Sequence, residues 1–207
     1  FLIISLGNIG FNNTIDFVNN LSFVEPLFVL VVMVIAASNP ILNFITSMIG
    51  KITLLFKNNQ SVIFYGLILS AIPLLGSLIT EPAAMTLAAL LLKEHFYSKN
   101  ISTPLMYATL AVLFVNISIG GLLTPYAAPP VLMVANKWGW DLSFMLLTFG
   151  WKSILVVLFN TYLLTQIFND EIKSVKVNLA KIPSASIPFY VITIHLAFLI
   201  ATVYFSH

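Results

Sequence analysis

The segment from Asn116 to Pro130 constrains the fold of this chain more than any other. It reads Asn-Ile-Ser-Ile-Gly-Gly-Leu-Leu-Thr-Pro-Tyr-Ala-Ala-Pro-Pro and is flanked by apolar segments on both sides. Glycine permits backbone angles that other residues resist, and proline removes an amide donor and clashes with the preceding helical turn. We therefore predict a broken helix over residues 104–136, interrupted at 118–129. The residues that break it are Gly120, Gly121, Pro125, Pro129 and Pro130.

Composition places this break inside a membrane. Hydrophobic residues make up 59% of the chain and charged residues 8%, whereas a soluble domain carries about 25% charged residues. We predict an all-α, polytopic membrane protein with one membrane domain over residues 1–207. In hydrocarbon, a broken helix survives only where it is buried in protein or lines a cavity.

A second break is predicted at Thr80-Glu81-Pro82. Residues 61–92 are apolar throughout, except for Glu81. One straight helix of that length would span about 48 Å, against a hydrocarbon core of about 30 Å. We therefore expect residues 61–97 to form a re-entrant hairpin of two half-length helices, although two complete crossings would also fit the sequence.

Glu81 is the candidate for proton and cation binding, because it is the only carboxylate predicted to lie deep in the membrane. An ionised acid at the bilayer centre costs roughly 2.5–3.5 kcal/mol on insertion scales, so such residues are usually functional. A carboxylate of this kind can hold a proton or Na⁺, but not comfortably both. The alternative is an acid at the start of a helix, beside Pro82, that serves only the helix terminus.

Thr80, Asn116, Ser118 and Thr124 flank the two breaks. Their amide and hydroxyl oxygens, with the carbonyls released at the glycines, suit a small hard cation. Alternatively, Asn116 and Ser118 only hydrogen-bond to neighbouring helices, as polar residues in membrane helices often do. His195 is a secondary candidate for a proton relay, or else an interior polar contact.

Several function classes have no support in the sequence. The net charge of +2 and the lack of a basic stripe argue against nucleic acid as a partner. The chain has no cysteine, its three histidines lack metal-ligand spacing, and no phosphate-binding loop occurs. We therefore expect no enzyme, no bound metal and no cofactor. The distribution of lysines predicts that the loops at 51–60, 93–101 and 169–186 are cytoplasmic.

The two breaks carry a family resemblance. Residues 116–135, followed by Trp138-Gly-Trp-Asp, resemble the Na⁺/H⁺ antiporter family of bacterial inner membranes, and so does Ile79-Thr-Glu-Pro-Ala-Ala-Met-Thr-Leu-Ala-Ala. That family is similar to a wider superfamily of arsenite, sodium/proton and dicarboxylate transporters. The resemblance implies two inverted repeats, each with a re-entrant hairpin and a broken helix, of which this chain would hold mainly the first. We accordingly expect a fragment of a longer transporter.

The resemblance implies exchange of Na⁺, or a similar monovalent cation, for H⁺ across the lipid bilayer. It places Thr80, Glu81 and Pro82 at the hairpin tip, where the wider superfamily more often has Ser-Asn-Thr or Asp-Asn. A sodium-coupled symporter of an anion such as a dicarboxylate is the alternative within transport, and a non-transporting scaffold subunit is the alternative outside it. A homodimer fits the resemblance, but the sequence fixes no interface.

Overall fold

A computed structural model describes residues 10–19, 38–56, 58–177 and 188–205, with the isolated positions 7, 27, 30, 31, 34 and 35. This part of the chain is helical, without strands. Its helices are α1 (Phe11–Asn19), α2 (Asn39–Leu55), α3 (Gln60–Ile79), α4 (Glu81–His95), α5 (Thr103–Gly120), α6 (Pro129–Trp138), α7 (Leu142–Ile167), α8 (Asn169–Ser174) and α9 (Phe189–Phe205). Among the described residues, α3, α7 and the segment Thr103–Leu123 are long and apolar enough to cross a membrane.

Helices α3 and α4 form an antiparallel hairpin whose tip is Thr80. Near the tip, a Cβ on Gly76 would lie 3.1 Å from the Cβ of Ala84. At the open end, the rings of Phe64 and His95 pack edge to face with centroids 5.0 Å apart. The predicted bend at residues 80–82 is therefore confirmed.

The two arms of this hairpin differ in length. Helix α3 has 20 residues and α4 has 15, which correspond to about 30 Å and about 22 Å. The prediction of two half-length helices is wrong for α3, because α3 alone is long enough to cross the hydrocarbon core. Re-entry of the hairpin from one side of the membrane stays a prediction.

The predicted interruption of the next helix is also present. Ser102 caps the start of α5, its hydroxyl accepting a hydrogen bond from the Leu105 amide at 3.3 Å. Helix α5 ends at Gly120, a 3₁₀ turn covers Gly121–Leu123, and α6 begins at Pro129. The break thus begins three residues later than predicted, because Ser118 and Ile119 still have helical geometry.

Helices α2, α4, α5 and α7 pack around α3. Helix α5 runs parallel to it: Tyr65 of α3 hydrogen-bonds to Thr109 of α5 near their starts, at 2.6 Å. Helix α7 runs antiparallel to both: its first residues contact the Gly121–Leu123 turn, and Thr161 in its second half lies beside Gly66 in the first half of α3. Helices α2 and α4 complete the packing around α3, and α9 packs against α2.

The loops at the open end of the hairpin form one cluster. The Glu171 carboxylate accepts hydrogen bonds from the Ser102 amide at 2.6 Å and hydroxyl at 2.9 Å, and Ser61 donates to the Val175 carbonyl. The predicted loops are shorter than expected, because α2 continues to Leu55 and α8 occupies 169–174. Residues 57 and 178–187 lie outside the described part.

Candidate functional site

The two helix breaks meet in space. A Cβ placed on Gly121 would lie 3.0 Å from the carboxyl carbon of Glu81, so this carboxyl group rests against the glycine backbone. Three residues further along, the Thr124 hydroxyl donates a 2.8 Å hydrogen bond to the carbonyl of Ser77. Ser77 lies in the last turn of α3, where carbonyls have no helical donor. Glu81, at the first break, therefore fills the space beside Gly121, and Thr124, at the second break, supplies a hydrogen-bond donor to the free Ser77 carbonyl.

Thr80 is strained and lacks a hydrogen-bond partner. Its backbone angles are φ 76° and ψ 149°, a region that is essentially restricted to glycine. Its side chain is 2% exposed, and its hydroxyl is buried with no partner among the described residues. A β-branched residue in this conformation costs of order 1–3 kcal/mol, and such outliers cluster at functional sites. The hydroxyl is therefore available to a ligand at this point.

Glu81 begins α4, directly after this strained residue. Its side chain is half-buried, and no hydrogen bond or ion pair to its carboxylate occurs within the described part of the chain. The positive end of the α4 dipole favours negative charge there. A single carboxylate beside an unpartnered hydroxyl and a glycine backbone can bind one proton or one monovalent cation.

The junction of the breaks lies within the helical bundle, not at its end. Helix α5 has 18 residues, so its break lies about 27 Å from the open end of the hairpin. Helix α7 passes this level and has 26 residues, or about 39 Å. Helix α6 covers the remaining depth beside the first turns of α7, packing Val131 and Ala135 against Met145.

Asn116 lies more than one turn before this junction and is fully buried. Its amide nitrogen donates to the Leu69 carbonyl at 2.8 Å and to the Thr161 hydroxyl at 3.1 Å. Its amide oxygen accepts a 3.1 Å hydrogen bond from Asn160. These contacts favour the alternative in which Asn116 hydrogen-bonds to neighbouring helices, and a role as a cation ligand stays a prediction.

The remaining predicted residues lie apart from the junction or at its edge. Ser118 is exposed on α5, and Pro125 is buried within the break. His195 is half-buried on α9, where its Nδ1 lies 2.8 Å from the Val191 carbonyl of the same helix. The prolines at the helix starts, Pro82, Pro129 and Pro130, are exposed.

The sequence analysis missed Pro73, Ser77 and Thr161. Pro73 lies inside α3, and its missing N–H leaves the Leu69 carbonyl without a helical donor. From the sequence alone, Pro73 indicates that the carbonyl four residues earlier needs a hydrogen-bond donor from elsewhere. By contrast, nothing in the local sequence indicates that Thr161, in a third helix, would reach that carbonyl.

Comparisons with known proteins give one finding. A family model described as "Putative Na+/H+ antiporter" matches residues 1–207, the whole chain. No curated protein and no solved structure matches the chain.

Proposed function

The chain belongs to this Na⁺/H⁺ antiporter family, and from that premise we propose that it exchanges Na⁺, or a similar monovalent cation, for H⁺. The family is one of transporters, so the chain is a membrane transport protein. The exchange would take place across a bacterial inner membrane, with the open end of the hairpin on the cytoplasmic side. A paired inverted repeat and a homodimer are further parts of this proposal.

The proposal rests chiefly on the position of Glu81. Its carboxyl group lies where two helix breaks meet, against the backbone of Gly121 and beside the buried Thr80 hydroxyl. A site with one carboxylate can be neutralised by a proton or by a monovalent cation, and competition between the two couples their movements. Thr80 and Thr124 are the proposed hydroxyl ligands, and backbone carbonyls of the break are suitable hard oxygen donors.

The test is proton release from the full-length protein in vesicles on addition of Na⁺, Li⁺ or K⁺ over a pH series. We expect release that depends on Na⁺ in the wild type and is abolished in Glu81→Gln. The matched control is Glu94→Gln, which removes an exposed carboxylate near the other end of the same helix. Exchange that survives Glu81→Gln would refute the assignment of this residue.

A sodium-coupled anion symporter is the second candidate. Two helix N-termini, those of α4 and α6, begin at or near the break junction, and such termini favour anions. Uptake of a labelled anion that is stimulated by Na⁺, without proton movement, would favour this function. A continuous helix through 118–129 would have favoured the scaffold alternative, and the end of α5 at Gly120 counts against it.

A further inference from the structure

Helix α3 lacks one backbone hydrogen bond, about one turn before the junction of the two breaks, and we call this gap the opening in α3. Pro73 has no N–H, so the carbonyl of Leu69 loses the donor that an ordinary residue would supply. Leu69 is fully buried, which excludes water as a replacement. A buried carbonyl of this kind is costly unless another group donates to it.

Two side chains from two other helices supply that donor. The Asn116 amide nitrogen of α5 donates to the Leu69 carbonyl at 2.8 Å, and the Thr161 hydroxyl of α7 lies 3.1 Å from the same oxygen. Asn160 fixes the amide orientation of Asn116 through a 3.1 Å hydrogen bond to its oxygen. The opening in α3 is thus the point at which α3, α5 and α7 are joined.

This contact is the first of three that recur at intervals of one turn between α3 and the segment formed by α5 and the break after it. Leu69 faces Asn116, Pro73 faces Gly120, and Ser77 faces Thr124, so that the partners in each pair are 47 residues apart in the chain. Of the three, only the first joins a freed mid-helix carbonyl to a side-chain amide. A slide of α5 by one turn would break all three contacts together.

We propose that Asn116, supported by Thr161, is a positioning residue that sets the register of α5 on α3. That register places Gly121 against Glu81, five residues or about 7.5 Å along the helix from Asn116. Asn116 therefore acts on the exchange site through the position of the break, not as a cation ligand. This inference depends on the proposed function only where it is tested by transport, because that assay measures Na⁺/H⁺ exchange.

The transport test separates positioning from ligation. We expect Asn116→Ala to lower the maximal rate of Na⁺/H⁺ exchange by about tenfold or more, since small misplacements of reacting groups have effects of this size. The half-saturating Na⁺ concentration should stay within about twofold of the wild-type value. The matched control, Asn58→Ala in an exposed loop, should change neither quantity. A large rise in half-saturating Na⁺ with an unchanged maximal rate would overturn the proposal.

A double variant separates positioning from simple satisfaction of the buried carbonyl. Pro73→Ala restores an N–H that can donate to the Leu69 carbonyl within α3, but the contact between α5 and α3 stays absent when Asn116→Ala is added. We expect Pro73→Ala combined with Asn116→Ala to recover membrane accumulation while the exchange rate stays reduced. Recovery of the wild-type exchange rate would overturn the proposal, because Asn116 would then only satisfy the carbonyl.

Register can also be measured without transport. The chain has no cysteine, so Ser77→Cys and Thr124→Cys form a unique pair for a short bifunctional thiol reagent. We expect efficient cross-linking in the otherwise wild-type protein and clearly reduced cross-linking when Asn116→Ala is added. Unchanged cross-linking would overturn the proposal. If the wild type shows no exchange, the proposed function fails, while this cross-linking result still tests the role of Asn116.

Discussion

The close contact between α3 and α5 at Gly120 makes a quantitative prediction about glycine substitutions. A Cβ on Gly120 would lie 2.6 Å from the carbonyl carbon of Pro73 and 3.1 Å from the amide nitrogen of Leu74. Both are backbone atoms of a buried helix, so they cannot rotate away. Carbon atoms pack at about 3.5–4.0 Å, so α5 would have to retreat from α3 by about 1 Å.

The expected cost of Gly120→Ala combines three effects. Overpacking costs typically about 1–3 kcal/mol, and stretching the flanking hydrogen bonds of Asn116 and Thr124 adds roughly 0.5–1.5 kcal/mol for each bond lost. Alanine recovers roughly 0.5–1 kcal/mol through its higher helix propensity. With both bonds lost, we therefore expect a net loss of roughly 1–5 kcal/mol in the free energy of unfolding.

The chain supplies its own controls for this prediction. Gly120 and Gly150 both have right-handed helical angles, so alanine is compatible with the backbone at either position. Around Gly150 the nearest atom to a new Cβ is 3.5 Å away, and around Gly66 it is 3.9 Å away. Alanine at these two positions should be neutral or stabilising by up to about 1 kcal/mol. Gly76→Ala, at 3.1 Å from Ala84, should fall between them and Gly120→Ala.

Thermal unfolding of the purified variants in detergent, followed by circular dichroism, measures this order. The expected ranking of melting temperatures places Gly66→Ala and Gly150→Ala highest, then Gly76→Ala, then Gly120→Ala. Equal melting temperatures for Gly120→Ala and Gly150→Ala would refute the close approach of α3 and α5 on which the register argument depends.

Two further predictions concern Thr80 and Tyr97. Thr80→Gly should raise the melting temperature, because it relieves backbone strain of order 1–3 kcal/mol. It should also lower Na⁺-dependent proton release, because it removes a hydroxyl from the site. A variant that is no more stable than the wild type would contradict the strain at this position. Burial raises the pKa of Tyr97, in the turn after α4, to about 12 from the ordinary 10.0, and its hydroxyl has no described partner. Because the unfolded state then loses its proton first, stability should fall as pH rises from 10 to 12. Unfolding at pH 9 and pH 11 should show a smaller fall in Tyr97→Phe than in wild type, and an equal fall would contradict this assignment.

The sequence was sufficient to predict where the helices break. Glycine pairs, internal prolines and a lone carboxylate act through the local backbone, so the bend at Thr80 and the interruption after Gly120 could be located without tertiary information. Local signals also gave the start of α5, because Ser102 followed by a helical proline is a capping pattern. The errors are shifts at helix ends, where local preferences are weakest, and the length of α3, which was predicted to be half-length and has 20 residues.

The sequence could not predict which residues the breaks bring together. Asn116 and Thr124 were both grouped with Glu81 as flanking polar residues, yet only Thr124 lies at the junction, and it does so through the carbonyl of Ser77. That outcome depends on the parallel register of α3 and α5, which is set by contacts 47 residues apart in the chain. Amphipathic periodicity offers no help in a helix that is apolar on all sides.

The two helix breaks are in direct contact, and each completes the packing or hydrogen bonding of the other. The last turn of α3 is completed by Thr124 from the second break, and the space beside Gly121 is filled by Glu81 from the first. Under the proposed function, replacing a proton by a cation at Glu81 would change the size of what lies against Gly121, so a response at one break would be transmitted to the other. At the Asn116–Leu69 contact, one turn before the breaks, the polar groups already have hydrogen-bond partners. We therefore expect this contact to stay fixed when the occupant of the Glu81 site changes. Movement during exchange should therefore be confined to the residues beyond Gly120 and to the hairpin tip, with the Leu69 level as its fixed end.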